Sequence, residues 1–182
     1  MNSGHRPARH RGGSPPKPTV NPQNAGTPDS SEIYERNINV SVSRTGDREI
    51  VTKATMLDLN HHIRVELTID LVTRSIVGAR AQMTKVPYSI CQLTLSNIEK
   101  LMGLKIERGI HGEIVDRLGH SDGCTHMVDL AMEAVRLSAN VMVGLIEVGP
   151  EWFDPGDLSE EQMIKRVKPI LKNTCLPFKE SS

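Results

Sequence analysis

Three places along the chain collect side chains that bind metals, transfer protons or act as nucleophiles. They are the pair His61-His62, the single Cys91, and the segment from His120 to His126, which reads His-Ser-Asp-Gly-Cys-Thr-His. Each place lies at the boundary of a predicted strand or helix. Functional side chains concentrate at such boundaries, because a rigid element holds the backbone while the side chain stays free to meet others.

The segment that contains Cys124 and His126 is the most informative of the three. Cys124 stands at the start of the longest predicted helix, where backbone N–H groups and the helix dipole favour a thiolate. Residues two apart diverge on a regular helix, so joint metal binding requires Cys124 to lie just outside it. In the alternative, Cys124 packs as a small apolar residue and His126 is solvated. The spacing leaves both open, because the paired spacings of zinc motifs are absent.

The remaining candidates also fit structural roles. His61 alone fits an exposed strand-end histidine, and Cys91 alone fits a buried thiol. Cys175, beside a helix stop, is predicted to be a packing residue. Asp58 and Asp70 flank turns, where aspartate is common without any further role. The sequence contains no phosphate-binding loop, dinucleotide fingerprint, nucleophile elbow or His-Glu-X-X-His motif.

Four short runs of alternating apolar and polar residues predict the strands of an antiparallel sheet. They cover residues 38–42, 49–58, 62–71 and 76–83. In the last run the side chains predicted to share the core face are Val77, Ala79, Ala81 and Met83. The turns between the runs are short, which favours a meander with one face left to be covered.

The second half of the chain predicts the helices that cover this face. The apolar spacing indicates helices over residues 93–102, 111–118 and 124–147. A last helix begins at a capping box formed by Ser159 and Gln162, and Pro169 is predicted to kink it. Strands followed by helices is α+β order. The predicted fold class is therefore α+β, an antiparallel β meander of about four strands covered on one face by C-terminal helices.

The composition predicts a tail followed by one domain. Residues 1–31 hold six of the eleven prolines and almost no apolar side chains, which predicts a disordered Pro/Gly-rich tail. Residues 32–178 have the length and pattern of a single α+β domain. We interpret Gly119 and Gly123, around the Cys124 segment, as residues that loosen the backbone there.

Charge, aromatic content and cysteine usage exclude several classes of partner. The 22 basic and 22 acidic side chains cancel, and Trp, Tyr and Phe together number five (one, two and two), so nucleic acid is not an expected partner. No apolar stretch approaches the roughly 20 residues that a membrane helix needs, so no membrane partner is expected. Three widely spaced cysteines are untypical of a secreted disulfide framework and favour a cytoplasmic location.

Several segments of the chain together resemble a bacterial family catalogued as domain of unknown function 2889. The segments that carry the resemblance are His61 to Asp70, Ala79 to Met83, Pro87-Tyr88, Cys91, Leu101-Met102-Gly103, Gly123 to Met127, and Leu130. The Gly-Cys-Thr-His run is the most distinctive part, and Met127 stands where the family usually has Leu. The resemblance implies that the site residues are His61, Cys91, Cys124 and His126. It implies no activity.

A second, weaker resemblance concerns the iron–sulfur scaffold proteins of the IscU type. It rests on Cys91, Gly103 and Cys124 with the long helix behind them. The Cys-Gly-Asp motif of those scaffolds is missing, so His61 would have to replace its cysteine. Likeness of this kind does not by itself carry function.

Three functions from different classes are compatible with these residues. In the first, His61, Cys91, Cys124 and His126 bind one metal ion, zinc, or an iron–sulfur cluster. In the second, a cysteine-dependent enzyme uses Cys124 as its nucleophile and His126 or His61 as the base, although no carboxylate is obviously placed to orient that base. The third is a non-catalytic interaction module with buried cysteines. The expected partner is accordingly a metal ion or a small molecule, and whether the protein is an enzyme stays open.

Overall fold

The computed structural model describes residues 33–180, which form a four-stranded antiparallel sheet followed by helices. The strands are β1 (Arg36–Thr45), β2 (Glu49–Asp58), β3 (His62–Asp70) and β4 (Ser75–Lys85). Each strand pairs with the one before it in the chain, in the order β1-β2-β3-β4. The α+β class and the predicted meander are therefore confirmed. The predicted tail, residues 1–31, lies outside the described residues.

The alternation along β3 fixes which face of the sheet is buried. Ile63, Val65, Leu67 and Ile69 are at most 1% exposed. Because successive side chains of a strand point to opposite faces, the residues between them lie on the other, more open face. β2 follows the same rule, with Ile50, Ala54 and Met56 fully buried in register with β3.

The predicted core face of β4 is wrong at its first residues. Thr68 pairs with Gly78, whereas Ile69 pairs with Ile76, so Val77 is an extra residue that forms a β-bulge. The bulge reverses the alternation, so Ile76 is fully buried and Val77 is 44% exposed. Alternation in the sequence does not reveal an extra residue, because the bulge depends on the neighbouring strand.

The helices that follow cover the buried face of the sheet. They are α1 (Ile110–Leu118), α2 (Thr125–Met142) and α3 (Glu160–Val167). The apolar side of α2 packs against β1, β2 and β3. Within residues 33–180, none of the helices has the length and apolarity needed to cross a membrane.

Three predicted helices differ from the observed ones. The helix predicted over residues 93–102 is instead a 3₁₀ helix of 13 residues, Ser89–Leu101, which we call the 3₁₀ segment. The helix predicted to reach residue 147 stays α-helical only to Met142 and continues as a π-helix over Val143–Val148. The capping box of α3 is present, but α3 ends before Pro169 and is not kinked by it. A proline disfavours helical backbone at the residue before it, which ends the helix.

The buried face can be tested with two substitutions at adjacent positions of β3. Leu67→Asp places an unpaired charge where the side chain is fully buried, so we expect the domain to unfold or lose several kcal/mol of stability. Glu66→Gln, on the open face, loses only a partly exposed pair with Lys53 at 3.5 Å, for which about 0–1 kcal/mol is expected. Urea denaturation measures both. Equal losses would show that both faces of β3 are buried.

Candidate functional site

The turn between β2 and β3 builds the centre of the site around Asp58. One carboxylate oxygen of Asp58, Oδ1, accepts hydrogen bonds from the backbone N–H groups of Asn60 (2.9 Å) and His61 (2.8 Å). The same oxygen lies 2.9 Å from Nδ1 of the His61 ring. The other oxygen accepts a hydrogen bond from Arg36 Nε at 2.8 Å. The side chain of Asp58 has no exposed surface, so these donors replace water completely.

The charge state of Asp58 determines which nitrogen of His61 is free. Burial alone would raise the pKa of Asp58, but the hydrogen bonds from Asn60, His61 and Arg36 outweigh it and hold the pKa well below its usual range. Asp58 is therefore an ionised acceptor at neutral pH. Nδ1 of a neutral His61 must then carry the hydrogen, which leaves a lone pair on Nε2. His61 presents that nitrogen as a metal ligand or a base.

His126 lies against His61 although it comes from the first turn of α2. The two ring centroids are 4.1 Å apart, with the ring planes tilted by 49°. Burial lowers the pKa of His126, and the nearby His61 and Arg36 lower it further. His126 is therefore neutral at physiological pH. Arg36 Nη2 lies 3.4 Å from His126 Nε2, a long and weak contact.

Cys124 meets the condition that the sequence set for joint binding with His126. It is the N-cap residue of α2 and has extended backbone angles (φ −139°, ψ 115°), so it lies just outside the helix. Its N–H donates to Leu118 O at 2.7 Å, which fixes the loop before α2. Cys91 lies in the first turn of the 3₁₀ segment. Both cysteines are partly buried against the same hydrophobic core.

The two elements that carry the cysteines contact each other. Asn97 of the 3₁₀ segment donates from Nδ2 to Asp122 O at 2.9 Å, in the loop before α2. Thr94 Oγ1 lies 3.9 Å from the sulfur of Met127 in the first turn of α2. Among residues 33–180, however, no three His, Cys, Asp or Glu side chains are already grouped to hold a metal ion. The structure thus brings the two imidazoles together and places the thiols on adjoining elements.

A family model described as "Protein of unknown function (DUF2889)" matches residues 34–139. The chain belongs to the DUF2889 family. The match spans all four strands and most of α2, so it contains the whole site. No curated protein and no solved structure matches the chain significantly. The family predicted from the sequence is confirmed, whereas a bacterial origin and the resemblance to IscU-type scaffolds stay predictions.

Gly119 and Gly123, beside the distinctive run of the DUF2889 family, do not loosen the backbone as predicted. A Cβ on Gly123 would lie 2.1 Å from the carbonyl oxygens of both Leu118 and Gly119. A Cβ on Gly119 would lie 2.6 Å from Val115 O. Both glycines are required because the loop packs directly onto the end of α1. They tighten the backbone that positions Cys124.

Three further candidates have other surroundings in this DUF2889 domain. His62 faces the open side of the sheet, with Nδ1 2.7 Å from Thr84 Oγ1. His120 is exposed and lies 3.5 Å from Asp116. Cys175 is exposed, so the prediction that it is a packing residue is wrong. A leucine and a proline after a cysteine indicated burial, but the short C-terminal 3₁₀ turn leaves the thiol at the surface.

Asp70 forms a second turn of the same construction in the same domain. At the end of β3, its Oδ1 accepts hydrogen bonds from the N–H groups of Val72 (3.0 Å) and Thr73 (2.7 Å), and Arg48 Nε donates to its Oδ2. The Thr73 hydroxyl donates to the same Oδ1 at 3.0 Å, at the position where the first turn has the His61 ring. The turn therefore needs the aspartate and the arginine. The imidazole of His61 is additional to what folding requires.

The second turn supplies a variant that separates fold from site. His61→Thr copies the residue that the Asp70 turn uses, so we expect a stability change below about 1 kcal/mol. Asp58→Asn removes the buried charge and turns an amide donor toward Arg36 or His61, so a loss of about 1–3 kcal/mol is expected. Urea denaturation of the metal-free proteins compares the two. Equal losses would mean that the imidazole is part of the fold.

Proposed function

We propose that this site binds a metal, a zinc ion or a small iron–sulfur cluster, through His61 and His126 together with thiolates of Cys91 and Cys124. The supporting observation is the contact of the two imidazoles, one of which is bonded through Nδ1 to a buried carboxylate. A metal-bound histidine usually donates its second ring nitrogen to such a partner, which fixes the tautomer and raises the basicity of the ligand. Asp58 supplies this partner before any metal arrives.

The protonation states of the imidazoles favour metal binding. A metal ligand must be deprotonated at the binding nitrogen, and both His61 Nε2 and the neutral His126 ring meet this requirement at physiological pH. Imidazole and thiolate together suit zinc, and mixed cysteine and histidine ligation also occurs in iron–sulfur centres.

Binding needs small rearrangements, because no group of three donors stands ready. The thiols of Cys91 and Cys124 must turn toward the imidazole pair. Arg36 must release Nε2 of His126, a 3.4 Å contact that costs little to break, while its Nε stays on Asp58. Four protein donors would make a structural site, whereas three donors would leave a position open for a substrate.

A second candidate function is a cysteine-dependent enzyme, and the Asp58–His61 pair favours it. The sequence offered no carboxylate to orient a histidine base, and Asp58 now takes that role. His61 would accept a proton at Nε2, with His126 as the alternative base, and Cys124 at the start of α2 would be the nucleophile. The third possibility, an interaction module, requires neither metal nor a reactive thiol.

The metal proposal is tested by counting metal in anaerobically purified protein. A Cys175→Ser background removes the exposed thiol from the count. We expect about one metal site per chain, and a loss of affinity of about 10-fold or more in each of His61→Ala, Cys91→Ala, Cys124→Ala and His126→Ala. His62→Ala is the matched control, because it removes a neighbouring imidazole that faces the other side of the sheet. The thermal midpoint should fall in step with metal loss.

The contrary results are equally clear. A background protein that is purified without metal and takes up neither zinc nor iron refutes the proposal. Iodoacetamide then separates the two remaining functions. Rapid alkylation of Cys124 that slows in His61→Thr favours the thiol enzyme, and an inert Cys124 favours the interaction module.

A further inference from the structure

β1 is a long edge strand without the features that normally protect an edge. All ten of its residues pair with β2 in an uninterrupted register, and among the described residues no strand pairs with its outer side. Exposed edges usually carry a proline, a charged residue, a bulge or a covering segment, because their free N–H and C=O groups otherwise recruit another strand. From Asn37 to Ser43, β1 has no proline, charge or bulge.

The opposite edge of the same sheet is protected. β4 contains irregularities of register at both ends, and Arg80 is exposed in its middle. Its first residues are covered by the chain after the 3₁₀ segment, because Ile76 N–H donates to Leu104 O at 2.9 Å and Gly103 N–H donates to Ile76 O at 2.8 Å. The chain therefore blocks one edge of its sheet and leaves the other open.

We propose that β1 pairs antiparallel with β1 of a second copy of this chain, which joins the two sheets into one of eight strands. The sequence of β1 is self-complementary about Val40. With a two-fold axis there, Val40 faces its own counterpart and Ile38 faces Val42 on the core side. On the open side Asn39 faces Ser41. Apolar residues thus meet apolar ones and polar residues meet polar ones, the arrangement that stabilises cross-strand pairs.

The ends of β1 do not oppose this pairing. Arg36 of one copy would face Arg44 of the other, but each guanidinium is already engaged within its own chain. Arg36 Nε donates to Asp58 at 2.8 Å, and Arg44 donates to the carbonyl oxygens of Gly46 (3.1 Å) and Asp47 (3.3 Å). Ile38 is 43% exposed beside α2, and a second β1 would cover it.

A second copy is a better partner for β1 than residues 1–32 of the same chain. The longest run without proline in those residues is 8–14, Ala-Arg-His-Arg-Gly-Gly-Ser. Proline lacks the N–H that a ladder needs, and glycine weakens a strand. The alternating Ile, Val, Asn and Ser of β1 are far better suited, so the strand that best matches β1 is another β1.

Ser41→Glu tests the pairing without disturbing the single chain. Ser41 is exposed and lies directly opposite Lys53 of β2, so a glutamate there gains an internal partner. In the dimer the same change brings two like charges together near the two-fold axis. Gln82→Glu is the matched control, because Gln82 is exposed on β4 and lies opposite Arg64.

The measurement is sedimentation of the full chain under reducing conditions over a concentration series. We expect wild type and Gln82→Glu to form a species of twice the chain mass, with dissociation at least tenfold easier for Ser41→Glu. A mixture of Ser41→Glu and Ser41→Lys should form heterodimers in native mass spectrometry. Deleting residues 1–31 should leave the dimer intact. The proposal is overturned if wild type stays monomeric, if Ser41→Glu keeps the wild-type dimer, or if either control abolishes it.

Discussion

A buried carboxylate loses the water that would solvate it, so its oxygens must find donors within the protein. Asp58 meets this requirement with a guanidinium, two turn amides and an imidazole, which come from β1 and from the β2–β3 turn. The same bonds join the edge of the sheet to its first turn and set the tautomer of His61. Solvation of this charge therefore shapes the fold and the chemistry together.

The Asp70 turn shows which part of this arrangement serves folding. There the same charge is satisfied by Arg48, two amides and the hydroxyl of Thr73, and no histidine is involved. A threonine is thus sufficient to complete such a turn. The ring of His61 adds a free nitrogen that points to chemistry, and α2 brings His126 to meet it.

The sequence predicted the parts of this structure that depend on local pattern. The buried face of β3 follows from strict alternation, and the position of Cys124 outside α2 follows from the loop and helix signals around it. The bulge at Val77 was missed, because it depends on pairing between strands. The bond from Arg36 to Asp58 was missed for the same reason, although Arg48 and Asp70 repeat its spacing of 22 residues. Whether the thiols join the imidazoles depends on side-chain rotation and stays a prediction.

The central claim is that ionised Asp58 holds the hydrogen of His61 on Nδ1 and leaves Nε2 free. Nitrogen-15 NMR of the metal-free protein at neutral pH reports this directly, because protonated and unprotonated ring nitrogens have widely separated shifts. We predict a protonated Nδ1 and an unprotonated Nε2 for His61, and mixed tautomers in Asp58→Asn. A hydrogen on Nε2 of His61 in the wild-type protein would contradict the account.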